Sequence, residues 1–198
     1  MVDNMEEYWD GENWLTVIKN SFEIKYYFNG ELHRNDGPAF IEYFNNNTIV
    51  VEEQYYINGK IHREDGPALI SYNDDKTIDI EEYYINGELH KEDGPAKIFY
   101  TKNGYIEIKE YHYNGKLHRE DGPAKIIYNN LNYIEGYYIN GNLHREDGPA
   151  LIKYFIDGSI KRKGYCFNGK DIETKDIEFY FPIDTEEKLL FFNLKYGE

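Results

Sequence analysis

Five copies of His-x-x-Asp are the residues of this chain best suited to chemistry: His33 and Asp36, His62 and Asp65, His90 and Asp93, His118 and Asp121, and His144 and Asp147. Imidazole nitrogens and carboxylate oxygens are ligands for zinc or manganese. Stacked copies could line up such ligands, as in a metal-binding protein or metallohydrolase. A structural reading competes with this one. Each of these aspartates precedes Gly-Pro, where its carboxylate can accept from nearby backbone N–H groups and hold a turn. A histidine at one fixed place in every copy can bond the next turn's carbonyl and pack on a tyrosine. An enzyme site is normally built once, whereas this pattern is built five times. The expectation is therefore a set of structural turns, with no metal, no cofactor and no catalytic residue.

Other catalytic patterns are missing. Serine occurs only at Ser21, Ser71 and Ser159, outside any nucleophile elbow,. There is no phosphate-binding glycine loop and no His-Glu-x-x-His pair,. The single cysteine, Cys166, stands where other copies carry tyrosine, so it reads as a variant of that row.

Charge follows the same repeat. Arg34, Arg63, Lys91, Arg119 and Arg145 each follow a histidine, and Glu64, Glu92, Glu120 and Glu146 run beside them. This reads as a solvated ladder of alternating charge, each pair contributing at most about 1 kcal/mol. Glu52-Glu53, Glu81-Glu82, Glu110 and Glu135 recur before the tyrosines. No loop there has the spacing of a calcium cage, so these read as a solvated strand edge.

The element that must position all these residues is INGKIHREDGPALISY at 57–72, which recurs from Phe28, Ile85, Tyr113 and Ile139 and begins again at Phe167. The Asn-Gly glycines are Gly30, Gly59, Gly87, Gly115, Gly141 and Gly169, a period of about 28 residues, which signals a repeat architecture,. After each Gly-Pro come Ala, Ile and Tyr at alternate positions, as in Ala68, Ile70 and Tyr72, while the residues between them vary. A constant face alternating with a variable one is a half-buried strand.

The fourth residue before each Asn-Gly glycine is tyrosine: Tyr26, Tyr55, Tyr83, Tyr111, Tyr137 and Tyr165. Phe28, Ile57, Ile85, Tyr113, Ile139 and Phe167 lie two residues on and would share its strand face,. Between them runs a third row, Tyr27, Tyr56, Tyr84, His112, Tyr138 and Cys166. Ile78 and Ile80, earlier in the same segment, fall on the other parity, which a bulge or two-sided burial would explain. If the opposite face is the core, Tyr27, Tyr56, Tyr84 and Tyr138 form an exposed aromatic row able to hold a partner.

Short, turn-rich connections leave no room for crossover helices, so sequential strands should pair antiparallel. The expected fold is all-β: an elongated antiparallel β-meander with two strands per repeat and a short C-terminal helix. Residues 1–25 read as a capping hairpin around Asp10-Gly11, flanked by Trp9 and Trp14, which covers the open edge of the first repeat. Residues 26–170 hold five to six repeats. Residues 171–198 read as a C-terminal cap, with Asp184 and Glu187 as a capping box before Leu189, Leu190, Phe192 and Leu194,.

Composition narrows the partners. The 198 residues are 40% hydrophobic and 17% aromatic, with 21 tyrosines and a net charge of −15. Such charge disfavours nucleic acid and anionic membrane surfaces and suits a basic protein partner. One cysteine permits no internal disulfide, and the acidic start MVDNMEEYWD is no secretory signal,. These point to the cytoplasm.

The runs YINGKIHREDGPA at 56–68 and YNGKLHREDGPA at 113–124 resemble the MORN-repeat family, and the resemblance covers roughly residues 26–170. The unit here is longer than the usual MORN unit, with Arg or Lys after His and Asp-Gly-Pro-Ala following. It is similar to variants in bacterial and large-DNA-virus proteins, for which the compartment would be the host cytoplasm. The resemblance implies an extended antiparallel sheet whose grooved face holds protein partners, and lipid contact in some members; the net charge opposes the lipid role. The expected function is a non-enzymatic scaffold for protein–protein interaction. Beside it stand the metal-dependent reading and that of a glycan-binding or particle-surface module.

Overall fold

A computed structural model describes residues 4–44, 48–172, 188, 190 and 194–196. The chain divides into two compact units, Met1–Ile106 and Glu107–Glu198, and each is an antiparallel meander. In the first, Asn4–Trp9, Trp14–Lys19, Glu23–Phe28, Phe40–Phe44, Ile49–Gln54, Leu69–Tyr72, Ile78–Glu82 and Lys97–Tyr100 pair in that order. In the second, strand Ile106–Glu110 is followed by Lys125–Tyr128, Asn132–Gly136, Leu151–Phe155 and Ile160–Gly164, each paired with the next. No helix among the described residues is long and apolar enough to cross a membrane.

The main sheet takes two strands from each repeat, as expected. The second to fifth repeats each add a small hairpin off the main sheet, such as Tyr56–Ile57 with Lys60–Ile61 or Tyr84–Ile85 with Glu88–Leu89, whereas in the first Glu31–Leu32 pairs with the main-sheet strand Glu23–Phe28. The chain switches partners at the repeat tyrosine. Tyr55 N–H donates to Ala68 O at 2.8 Å, while its own carbonyl accepts from His62 N–H at 2.9 Å. Tyr83, Tyr111 and Tyr137 do the same with Ala96 and His90, Ala124 and His118, and Ala150 and His144. The strand therefore ends at that tyrosine and its side-chain parity restarts, which explains why Ile78 and Ile80 fall out of step with Ile85. A register shift between Ile78 and Ile80 adds to this.

Each hairpin closes through Asn-Gly with positive φ at both residues, 49° at Asn58 and 72° at Gly59. That is the type I′ turn, whose twist matches two antiparallel strands and which Asn-Gly adopts at least cost. The core sits where sheet and hairpin meet. Ala39, Ala68, Ala96, Ala124 and Ala150 have no exposed surface; at that crowded junction alanine is the side chain present in every copy. In the first unit Leu15, Val17, Tyr26 and Ala39 form a buried cluster, with Tyr8, Ile24, Phe28, Ile41 and Tyr56 packed against it.

The N-terminal hairpin lies against the first repeat, Thr16 opposite Tyr27 and Val17 opposite Tyr26. At the other end Lys188, Leu190 and Leu194–Tyr196 are helical. Leu190 and Leu194 are exposed there and Tyr196 is buried. The capping box, Leu189 and Phe192 lie outside the described residues.

Candidate functional site

The Asp-Gly-Pro turn is built around a stacked cation. The Arg63 guanidinium carbon lies 4.0 Å from the centre of the Tyr55 ring. Its Nε donates to Asp65 Oδ1 at 2.7 Å and its Nη1 to Pro67 O at 3.3 Å. Gly66 covers the other side: a Cβ there would stand 2.9 Å from Arg63 Cζ. A side chain there would make the guanidinium shift. Arg34 on Tyr26, Arg119 on Tyr111 and Arg145 on Tyr137 repeat the stack at 4.2, 4.1 and 4.0 Å, and Lys91 replaces the guanidinium over Tyr83 at 3.5 Å. Cation–π attraction and a charge-assisted bond act on one group. The hydrogen bond from Arg63 holds the Asp65 carboxyl below the usual carboxylate range, and Arg119 does the same to Asp121.

Two expectations are corrected here. The turn aspartates Asp36, Asp65, Asp121 and Asp147 accept from the arginine two residues earlier; they do not chiefly cap backbone N–H groups. The cation row is also only partly solvated. The Arg63 side chain is 25% exposed and the Asp65 side chain 84%.

The histidines join one repeat to the next. His62 Nδ1 accepts the backbone N–H of Asn86 at 3.0 Å, His118 that of Asn140 at 3.2 Å and His144 that of Asn168 at 3.2 Å, while His33 Nδ1 meets both the N–H and the Oδ1 of Asn58, at 3.1 and 3.0 Å. All four imidazoles therefore touch the Asn-Gly turn of the following copy, and those of His62, His118 and His144 do so by accepting an amide proton and not by donating to a carbonyl. Backbone bonds run beside it: Gly59 N–H to Leu32 O at 2.9 Å and Arg34 N–H to Tyr56 O at 3.0 Å. An Nδ1 that accepts N–H must hold its lone pair free, which fixes the neutral Nε2–H tautomer. Among the described residues no three His, Cys, Asp or Glu side chains come together as a metal site.

Between successive turns lie open grooves. One, of about 500 Å³, runs from the 34–37 turn to Tyr55, Ile57 and the 62–65 turn. The next, of about 710 Å³, repeats those positions at 63–67 and 83–93. A third, of about 690 Å³, does so in the second unit at 119–123 and 137–147. His90 and Asp93 line the second groove, beside Glu92. Each groove has an aromatic and aliphatic floor, walls of stacked cation, and a rim of carboxylates.

The third tyrosine row is placed differently from the exposed row expected. Tyr27, Tyr56, Tyr84 and Tyr138 are all half-buried. Tyr56 Oη donates to Gln54 Oε1 at 2.7 Å and Tyr84 Oη to Glu82 Oε2 at 2.6 Å. Tyr138 lies over Gly136, where a Cβ would stand 2.7 Å from its ring. The rings of Tyr56, Tyr84 and Tyr138 fold back onto the preceding strand and cover it. Cys166, in the same row, is 3% exposed, and burial pushes its thiol up to about 11.

The acidic pairs are not a solvated edge either. Glu53, Glu81 and Glu135 accept from the hydroxyls of Tyr72, Tyr100 and Tyr154 at 2.8, 2.8 and 3.1 Å. Burial first, and the carboxylate second, push those phenols up, Tyr154 to about 12. Glu82 and Glu110 hold Lys97 and Lys125 at 2.5 and 2.7 Å.

Asp10 is the residue whose importance sequence reading missed. Its Oδ1 accepts from the backbone of Glu12 and Asn13 at 3.0 and 2.7 Å, and its Oδ2 from Asn35 N–H at 3.0 Å. The Asp-Gly pair announces the local turn; the bond to Asn35 needs the fold. Tyr8 completes the first stack, with Arg34 lying 4.9 Å from its ring and its hydroxyl bonded to Asp36. Neither a protein-family model nor a curated protein matches this chain.

Proposed function

We propose that this chain is a non-enzymatic, MORN-like repeat scaffold that binds a basic protein partner along the acidic grooves between successive turns. The observation that carries this reading is the division of charge in the turns at 62–65 and 118–121. The cations are stacked on tyrosine and paired, while the carboxylates face outward: the Glu64 and Glu120 side chains are 84% and 86% exposed, and those of Asp65 and Asp121 84% and 81%. The surface left to a partner is therefore negative and repeats with the turns. Two sheet strands per copy put successive rims about 10 Å apart within a unit. Tyr55 and Ile57 on the groove floor supply apolar contact, where most affinity arises, while the net charge of −15 mainly speeds encounter,.

This reading moves the binding surface from the third tyrosine row to the grooves. The same rim opposes nucleic acid and anionic membranes. The metal-dependent alternative loses support because the imidazole Nδ1 is taken up by a backbone N–H. No observation favours a glycan.

The test is capture of partners from the native cell by the full chain and by the Glu64→Lys, Glu120→Lys double variant, at about 0.05 M and 0.5 M salt. The variant is expected to lose most capture at low salt, with an unchanged melting temperature because both side chains are exposed. Undiminished capture of every partner by a folded variant would refute the reading.

A further inference from the structure

Strand Asn4–Trp9 is the outermost of the first unit, and among the described residues it pairs only with Trp14–Lys19. The turn that closes this hairpin determines which backbone groups are free. Asp10 N–H donates to Asn13 O at 3.2 Å, so Asp10 and Asn13 are a hydrogen-bonded pair. Such pairs alternate along an antiparallel ladder, which assigns Tyr8–Leu15, Glu6–Val17 and Asn4–Lys19 to the inner ladder. The N–H and C=O groups of Met5, Glu7 and Trp9 therefore point outward from the sheet.

The same three residues put their side chains on one face. Met5 is 72% exposed, and Trp9, 48% exposed, faces Trp14, 66% exposed, at 5.6 Å between rings. On the other face Glu6 is engaged by Lys19 at 2.7 Å. Glu7 takes part in no hydrogen bond or ion pair among the described residues.

We propose that this edge accepts an extended strand from a protein partner, with a lysine or arginine opposite Glu7 and apolar residues opposite Met5 and Trp9. Backbone hydrogen bonds would supply the affinity, and the alternate side chains the selection. Charge decides against a second copy of the chain. Symmetric antiparallel pairing with Met5 opposite Trp9 sets Glu7 against Glu7, and each copy carries −15. Like charges directly opposite are destabilising, whereas an opposite-charge pair is favourable. The edge is a different surface from the grooves, so its failure would leave the groove reading standing.

Both tryptophans of the protein lie in this hairpin, so intrinsic fluorescence of the full chain reports on this site. The probe is an end-blocked peptide, Ile-Thr-Lys-Thr-Ile, compared with the same peptide carrying glutamate for lysine. The lysine peptide is expected to shift tryptophan emission and to slow exchange of the Met5, Glu7 and Trp9 amides. The glutamate peptide should bind about fivefold to tenfold more weakly, and Glu7→Lys should invert that order. Glu7→Pro removes an outward N–H and leaves the inner ladder intact, so it should abolish binding without unfolding the hairpin. Unchanged emission and exchange up to millimolar peptide would overturn the proposal, as would an unchanged preference in Glu7→Lys. Slowed exchange without peptide, with concentration-dependent dimers in sedimentation, would overturn it in favour of a second copy.

Discussion

Phe167→Ala is expected to destabilise the protein by about 3–5 kcal/mol, among the largest effects of any single truncation in this chain. Phe167 is 1% exposed and is the largest fully buried side chain among the described residues. It belongs to the sixth Asn-Gly hairpin, Cys166–Phe167 with Lys170–Asp171. Its ring lies 4.6 Å from the His144 ring. Around it, Gly169 N–H donates to Leu143 O at 2.9 Å and Ile172 N–H to Tyr165 O at 3.0 Å. Repeats at the end of an array need a neighbour to bury their face, and this partial copy supplies one to the fifth hairpin. Truncation would leave a cavity in contact with the His144 clamp. Urea unfolding of the variant checks this; a loss below about 1 kcal/mol would mean that the sixth hairpin is not a packed cap.

Asp10→Ala is expected to cost about 2–3 kcal/mol, because three backbone N–H groups lose their acceptor and the first turn loses its tie to the N-terminal hairpin. Asn should restore part of this, since its amide oxygen accepts but carries no charge. The pH dependence has a definite sign. Burial alone would raise the Asp10 carboxyl, but hydrogen bonds from Asn13, Glu12 and Asn35, with His33 nearby, outweigh it and hold it below the usual range. Its folded pKa is thus lower than that of the unfolded chain, about 3.9. Its contribution is fully present above that value and is lost as pH falls through the folded pKa. Melting curves between about pH 6 and pH 2 should show a steeper acid loss for the native chain than for Asp10→Asn.

What the sequence disclosed was whatever rests on local rules. The Ala-x-Ile-x-Tyr alternation marks one sheet strand in each copy, and Asn-Gly marks a turn because two consecutive positive φ values require it. The break at Tyr55 and its equivalents was not legible, since it depends on which neighbour each backbone group bonds. The same holds for the stack: Arg63 stands next to Glu64 in sequence, yet the fold brings it onto Tyr55 and presses Gly66 against its other side. The half-burial of Tyr56 and Tyr84 follows from their hydroxyls reaching Gln54 and Glu82 on the preceding strand, a contact that alternation alone does not show. The histidine row was recognised as a turn element, but with the hydrogen bond running the wrong way. Backbone donors and acceptors look alike in sequence; only the placement of Asn86 N–H over His62 Nδ1 tells them apart.

The central claim is that the His-x-x-Asp turns fasten one copy to the next through their imidazoles, which are thereby kept from metal. Long-range proton–nitrogen correlation spectra of the imidazole rings, recorded at neutral pH with and without zinc, test it most directly. His62, His118 and His144 should each show a protonated Nε2 and a bare, hydrogen-bonded Nδ1, and added zinc should change neither these signals nor the melting temperature. Protonated Nδ1 in these rings, or ring signals and melting temperature that move with zinc, would contradict the account.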